Sequence, residues 1–138
     1  MSGLPAANSP APDAAGATSS AFARLDPRIQ QYLWRERWTE LRAAQERAIA
    51  PILDTDHDVI IAAATASGKT EAAFLPALTR LLRSRQPRLI VYVSPLKALI
   101  NDQFGRLERL CEQLDLPVWP WHGDISARVK QRFWRSPH

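Results

Sequence analysis

Residues 59–75, read Val59-Ile60-Ile61-Ala62-Ala63-Ala64-Thr65-Ala66-Ser67-Gly68-Lys69-Thr70-Glu71-Ala72-Ala73-Phe74-Leu75, decide how the rest of the chain is understood. A short apolar run leads into a loop of small residues ending Gly68-Lys69-Thr70, and an amphipathic helix follows. That order is what a phosphate-binding loop requires. The strand delivers the chain to a turn whose backbone N–H groups point inward, and the helix N-terminus adds its partial positive charge where phosphate sits. In such a loop Lys69 reaches the β and γ phosphates and the Thr70 hydroxyl holds Mg²⁺, with the backbone of Ala66, Ser67, Gly68, Lys69, Thr70 and Glu71 forming the cradle. The strict pattern places Gly at position 63, where this chain has Ala63, so the loop is a variant one. Ala restricts the positive-φ conformations that Gly allows.

Working outward, residues 1–21 are mostly Ala, Pro, Ser and Gly with one charge, Asp13, and are expected to be a disordered tail. Asp26-Pro27 has the form of an N-cap followed by proline at the first helical position, and predicts a helix to about Arg37 with Ile29, Leu33 and Trp34 inward. Thr39 is the expected cap of a second helix from Glu40 to about Leu53, kinked or ended by Pro51, with Leu41, Ile49, Ile52 and Leu53 inward. Beyond the loop, Phe74, Leu75, Leu78, Leu81 and Leu82 keep helical spacing until Gln86-Pro87.

Leu89 to Val93 reads as a second apolar strand, and Ser94-Pro95 as the cap of a helix carrying Leu96, Leu99, Ile100, Phe104, Leu107, Cys111 and Leu114 on one face. Pro117 to Trp121 reads as an edge strand, and Ser126 caps a last helix with Val129, Phe133 and Trp134. Strand and helix thus alternate three times, which predicts an α/β fold with a right-handed parallel sheet and flanking helices.

The 138 residues fit one domain at most. A formal charge of +4, carried by fifteen Arg against three Lys, favours an anionic partner. The lone cysteine, Cys111, excludes an internal disulfide, suits a reducing cytoplasm and reads as a small apolar core residue. No apolar run approaches the roughly 18 residues needed to span a bilayer. The N-terminus lacks the pattern of a signal peptide, so a soluble cytoplasmic protein with no membrane partner is expected.

Three further pieces join the loop to give a resemblance to the superfamily 2 DEAD/DEAH-box helicases, nearest in wording to the Lhr-type (large helicase-related) group. Leu41-Arg42-Ala43-Ala44-Gln45 resembles the Q motif, implying that Gln45 reads adenine. A carboxamide can donate to and accept from one base edge. Ser94-Pro95-Leu96-Lys97-Ala98-Leu99 is similar to motif Ia, implying that Ser94, Pro95 and Lys97 grip the backbone of a single-stranded DNA or RNA tracking strand. Trp121-His122-Gly123-Asp124-Ile125-Ser126 and the run Gly68 to Pro76 also match the wording of that group.

The resemblance covers about residues 24–138 and implies that 22–138 are the N-terminal part of a RecA-like ATP-binding domain, using ATP and Mg²⁺, with Lys69 and Thr70 the catalytic contributors. It also implies the absence of the Asp-Glu-X-Asp/His box and of a second lobe, the remainder of a helicase chain being the natural partner. The 138 residues alone are then expected to be inactive in ATP hydrolysis and to leave apolar strand edges uncovered. Two other classes fit parts of the pattern, a small P-loop kinase and a non-catalytic nucleic-acid-binding remnant.

Overall fold

The computed structural model describes residues 19–64, 67–94, 105, 107–121, 123 and 125–135. The expected phosphate-cradle residue Ala66, the expected strand contacts Pro95 and Lys97, and nearly all of the expected N-terminal tail lie outside the described residues.

After a 3-10 turn at Phe22–Arg24, helix α1 runs Pro27–Arg35. Its start follows the sequence: the Asp26 carboxylate accepts from the Arg28 N–H at 3.0 Å, and Pro27 occupies the first position, where no N–H is needed. The helix stops two residues before the expected Arg37. Arg37 itself turns left-handed, at φ 57°, so that Trp38 N–H reaches Leu33 O and Arg37 N–H reaches Trp34 O, each at 3.0 Å. This closing pattern satisfies the last carbonyls and is one that usually employs glycine. Trp34, expected inward, is 60% exposed and stacks on Phe22 at 5.8 Å.

Helix α2 runs Ala43–Asp54 and carries Pro51 within it. The start lies three residues later than Glu40 because Arg42, not Thr39, is the cap residue: its N–H is taken by the Gln45 side chain, Oε1 accepting at 2.9 Å. Helix α3, Lys69–Arg83, packs against α2. Residues 107–113 form helix α4, closed in the same way as α1 by left-handed Asp115 (φ 55°), with Leu116 N–H on Cys111 O at 2.9 Å. Helix α5, Ala127–Arg135, buries none of its residues. It is tied instead to residues 117–121 by edge-on aromatic contacts of Phe133 with Trp119 (6.2 Å) and Trp121 (5.5 Å).

One core joins the first four helices, with Leu25, Ile29, Leu33, Ile49, Leu75, Leu78, Leu110, Cys111 and Leu114 buried together. Across it the Asp26 N–H donates to Thr79 Oγ1 at 3.1 Å, and the Thr79 hydroxyl donates to Leu75 O at 2.9 Å. Burial alone would raise the Asp26 carboxyl. The hydrogen bonds from the Arg28 side chain and N–H, with the charges of Arg28 and Arg83, outweigh it and hold the group below the usual carboxylate value. Burial pushes the Cys111 thiol up to about 11, so it stays protonated at neutral pH.

The expected parallel sheet is not formed among the described residues. Among the described residues there is no strand: 59–64, 89–94 and 117–121 run without ladder pairing. A strand is defined by a neighbour that takes its N–H and C=O groups, and these three stretches have none among the described residues. Several of their apolar side chains accordingly face solvent, Ile60 at 93%, Val93 at 83% and Val91 at 73% exposure, while Ile90 and Val118 pack partly buried against the core. The burial within the described residues comes from helix-on-helix packing.

Candidate functional site

Gly68 is the hinge of the site. It caps α3 in the left-handed region at φ 79°, its carbonyl accepting from Ala72 N–H at 2.9 Å to begin the helix. A Cβ on Gly68 would lie 2.4 Å from Gln45 Nε2, so both conformation and space demand glycine. Behind it Ser67 N–H reaches back to Ala64 O at 3.3 Å, closing the described edge of the loop.

Lys69, the first residue of α3, curls its side chain over this edge. Its Nζ donates to the carbonyls of Ala63 (2.8 Å) and Ala64 (2.7 Å). The amine is thus held at the mouth of the loop by two neutral acceptors, next to the N-terminus of a fifteen-residue helix whose partial positive charge favours an anion. Thr70 and Glu71 occupy the second and third positions of the same helix. The Ser67 Oγ is buried and has no hydrogen-bond partner among the described residues. A glycine with no room for a side chain, an orphaned hydroxyl and a lysine resting on carbonyls at a helix start together fit a nucleotide phosphate group. For Mg²⁺ the loop offers the Thr70 position, and among the described residues no cluster of three or more His, Cys, Asp or Glu is present.

Gln45 is brought to this loop from α2 and is 1% exposed. Its Oε1 accepts from Arg42 N–H, and its Nε2 makes a long contact, 3.5 Å, with Gly68 O. Among the described residues, these contacts leave one N–H and one lone pair of the carboxamide over. The capping part of this arrangement was missed in the sequence, where the signal is a Gln at the third helical position. Of the residues expected to grip a strand, only Ser94 is described. It is half-buried at the end of the unpaired 89–94 segment.

Among the described residues, no helix is long and apolar enough to cross a membrane. The family model for DEAD/DEAH box helicases matches residues 42–138. The chain is 33% identical over 105 residues to the ATP-dependent DNA helicase Hel308 of Pyrococcus horikoshii, an alignment covering 76% of this chain and 14% of that protein. It is 36% identical over 127 residues to the ATP-dependent helicase Lhr-Core of Saccharolobus solfataricus, covering 82% of this chain and 14% of the relative. To the ATP-dependent RNA helicase DBP9 of Ajellomyces capsulatus it is 39% identical over 88 residues, 60% of this chain and 14% of the relative. The chain therefore spans about one-seventh of the length of these relatives. No solved structure matches. With a family match reaching from the start of α2 through the phosphate-loop wording to the last residue, the chain belongs to the DEAD/DEAH box helicase family.

Proposed function

We propose that residues 22–138 supply the nucleotide-binding part of an ATP-dependent helicase, with residues 1–21 a tail outside it. The observation that carries this reading is the Lys69 ammonium held at the mouth of the loop, beside left-handed Gly68 and the start of α3. Family membership supports ATP as the nucleotide and a nucleic acid as the substrate.

On this reading ATP displaces the Ala63 and Ala64 carbonyls from Lys69, which exchanges two neutral acceptors for anionic phosphate oxygens. Hydrogen bonds to charged acceptors are roughly twice as strong as neutral ones. The backbone of Ala66 to Glu71 lines the phosphates, and the Thr70 hydroxyl is the chain's ligand for Mg²⁺. Mg²⁺ held there would supply charge neutralisation to the phosphates. Gln45 meets the adenine edge with the carboxamide N–H and lone pair left over from its contacts to Arg42 and Gly68. Ser94, Pro95 and Lys97 hold phosphates of the tracking strand, single-stranded DNA or RNA. The relatives' greater length supports assigning strand movement to closure against further parts of the enzyme.

The test is ATP hydrolysis by the full-length parent with and without single-stranded DNA and RNA. Stimulation by either strand is the expected result. Hydrolysis indifferent to both, or transfer of the γ-phosphate to a small acceptor, would contradict the proposal.

A further inference from the structure

At the opposite end of α3 from Lys69, four arginines converge. Arg24 from the 3-10 turn, Arg80 and Arg83 from the last turn of α3, and Arg88 beyond it line a cleft of about 290 Å³, together with Asp54 and Ser84. At 1.5 Å rise per residue, roughly 20 Å of helix separates this cleft from the phosphate loop. The two features share no residue.

Arg80 and Arg83 are anchored on backbone carbonyls, while Arg24 and Arg80 each pair with one carboxylate. Arg80 donates through Nη1 to the carbonyls of Ile52 and Thr55, each at 3.1 Å, and through Nη2 to Asp56 at 2.7 Å. Arg83 donates to the carbonyl of Arg24 at 2.9 Å. Arg24 pairs with Asp54. Arg88 makes no hydrogen bond or ion pair among the described residues, although its charge, behind the bond and charge of Arg80, helps hold the Asp56 carboxyl below its usual value. Each guanidinium carries five donors, so most of the donors around the cleft are uncommitted. The two carboxylates offset at most half of the four positive charges, and both stand largely in water, with Asp56 at 93% and Asp54 at 51% side-chain exposure.

We infer that this arginine cleft is a second anion site, built to take a phosphate group through forked guanidinium hydrogen bonds. Planar forks such as those of Arg80 and Arg83, anchored on the carbonyls of Ile52, Thr55 and Arg24, lose little freedom when they bind, which is the setting in which arginine outperforms lysine for phosphate. The side chain of Asp54 lies in the wall of the cleft as a competing anion, so it lowers affinity and its removal raises it. The phosphate can belong to a nucleic-acid backbone or to a free ion, and the two sources differ in what they do to salt dependence.

The experiment uses the full-length parent carrying Lys69→Ala, which removes the loop's principal cation so that binding there does not mask the cleft. Inorganic phosphate is titrated calorimetrically against chloride at matched ionic strength. Saturable phosphate binding is expected, weakened at least tenfold by Arg88→Ala and tightened severalfold by Asp54→Asn. Arg88 is chosen because no described contact of the fold depends on it, so the variant is expected to remain folded. Phosphate behaving like chloride, or an affinity unchanged by Arg88→Ala, would overturn the inference. In parallel, a single-stranded oligonucleotide is titrated over a salt series. A salt slope reduced by about one unit in Arg88→Ala assigns the site to a strand phosphate, and an unaltered slope with weakened inorganic phosphate assigns it to the free ion.

Discussion

Replacing Gly68 by Ala tests whether the loop and helix α2 are one mechanical unit. Two separate costs follow from the structure. The left-handed backbone at φ 79° penalises any Cβ by about 1 to 2 kcal/mol. The added carbon also falls 2.4 Å from Gln45 Nε2, which must move, although Gln45 is 1% exposed and its Oε1 holds the Arg42 N–H. Losing that hydrogen bond and the long contact to Gly68 O adds roughly 1 to 2 kcal/mol. Gly68→Ala should therefore cost about 2 to 4 kcal/mol in all, of which the roughly 1 to 2 kcal/mol lost with the Gln45 contacts falls on the first turn of α2, although the substituted residue lies in another helix's cap. In the Gln45→Ala background only the backbone cost remains, so the double-mutant cycle should show a coupling of roughly 1 to 2 kcal/mol. The readout is native-state hydrogen exchange in peptides covering 42–50 of the parent, because exchange reports the local opening of α2 itself. Each tenfold acceleration of exchange corresponds to about 1.4 kcal/mol. An effect of Gly68→Ala that is the same in both backgrounds would refute the contact between loop and α2.

The bond from Asp26 N–H to Thr79 Oγ1 makes Thr79→Val costly by roughly 1 to 3 kcal/mol, since a buried N–H loses its acceptor, whereas Thr79→Ser keeps the hydroxyl and should cost no more than about 1 kcal/mol. Denaturant midpoints of the two variants check this ordering. Asp26 has a folded value below its usual one, so its charge contributes stability above the unfolded value of about 3.9, and that contribution is lost as pH falls through the folded value. The stability gap between wild type and Asp26→Asn should therefore be flat from about pH 5 to 7 and shrink below about pH 4. A gap that instead grows on acidification contradicts the pairing with Arg28. Arg37 and Asp115 close their helices at positive φ, and Arg37→Gly should raise the thermal midpoint through roughly 1 kcal/mol of relieved strain.

The legible parts of the chain were those decided by neighbours in sequence. Asp26-Pro27 announces α1, Gly68-Lys69-Thr70 announces the loop, and the apolar spacing of Leu75 and Leu78 gives the buried face of α3. What depended on residues brought from elsewhere was not legible. Runs such as Val59-Ile60-Ile61 and Leu89-Ile90-Val91 state a preference for burial, but a strand also needs a second backbone at ladder distance, which the described residues do not provide. Thr39 was the chemically better cap for α2, yet Gln45 reaching back to Arg42 fixed the start, because the same side chain also packs behind Gly68. The arginine cleft joins positions 24, 80, 83 and 88, which only helix packing brings together.

The central claim is that Lys69 serves an ATP-binding phosphate loop, and equilibrium ATP affinity of the parent with Lys69→Ala tests it most directly. Among the described residues the amine bonds only to the Ala63 and Ala64 carbonyls at the loop mouth, so its removal should leave α2 and α3 folded, with hydrogen exchange across 72–83 unchanged. Loss of one charge-assisted phosphate contact, about 1.5 to 3 kcal/mol, predicts an ATP dissociation constant raised roughly tenfold to a hundredfold. ATP affinity unchanged in a variant with intact exchange protection would contradict the account.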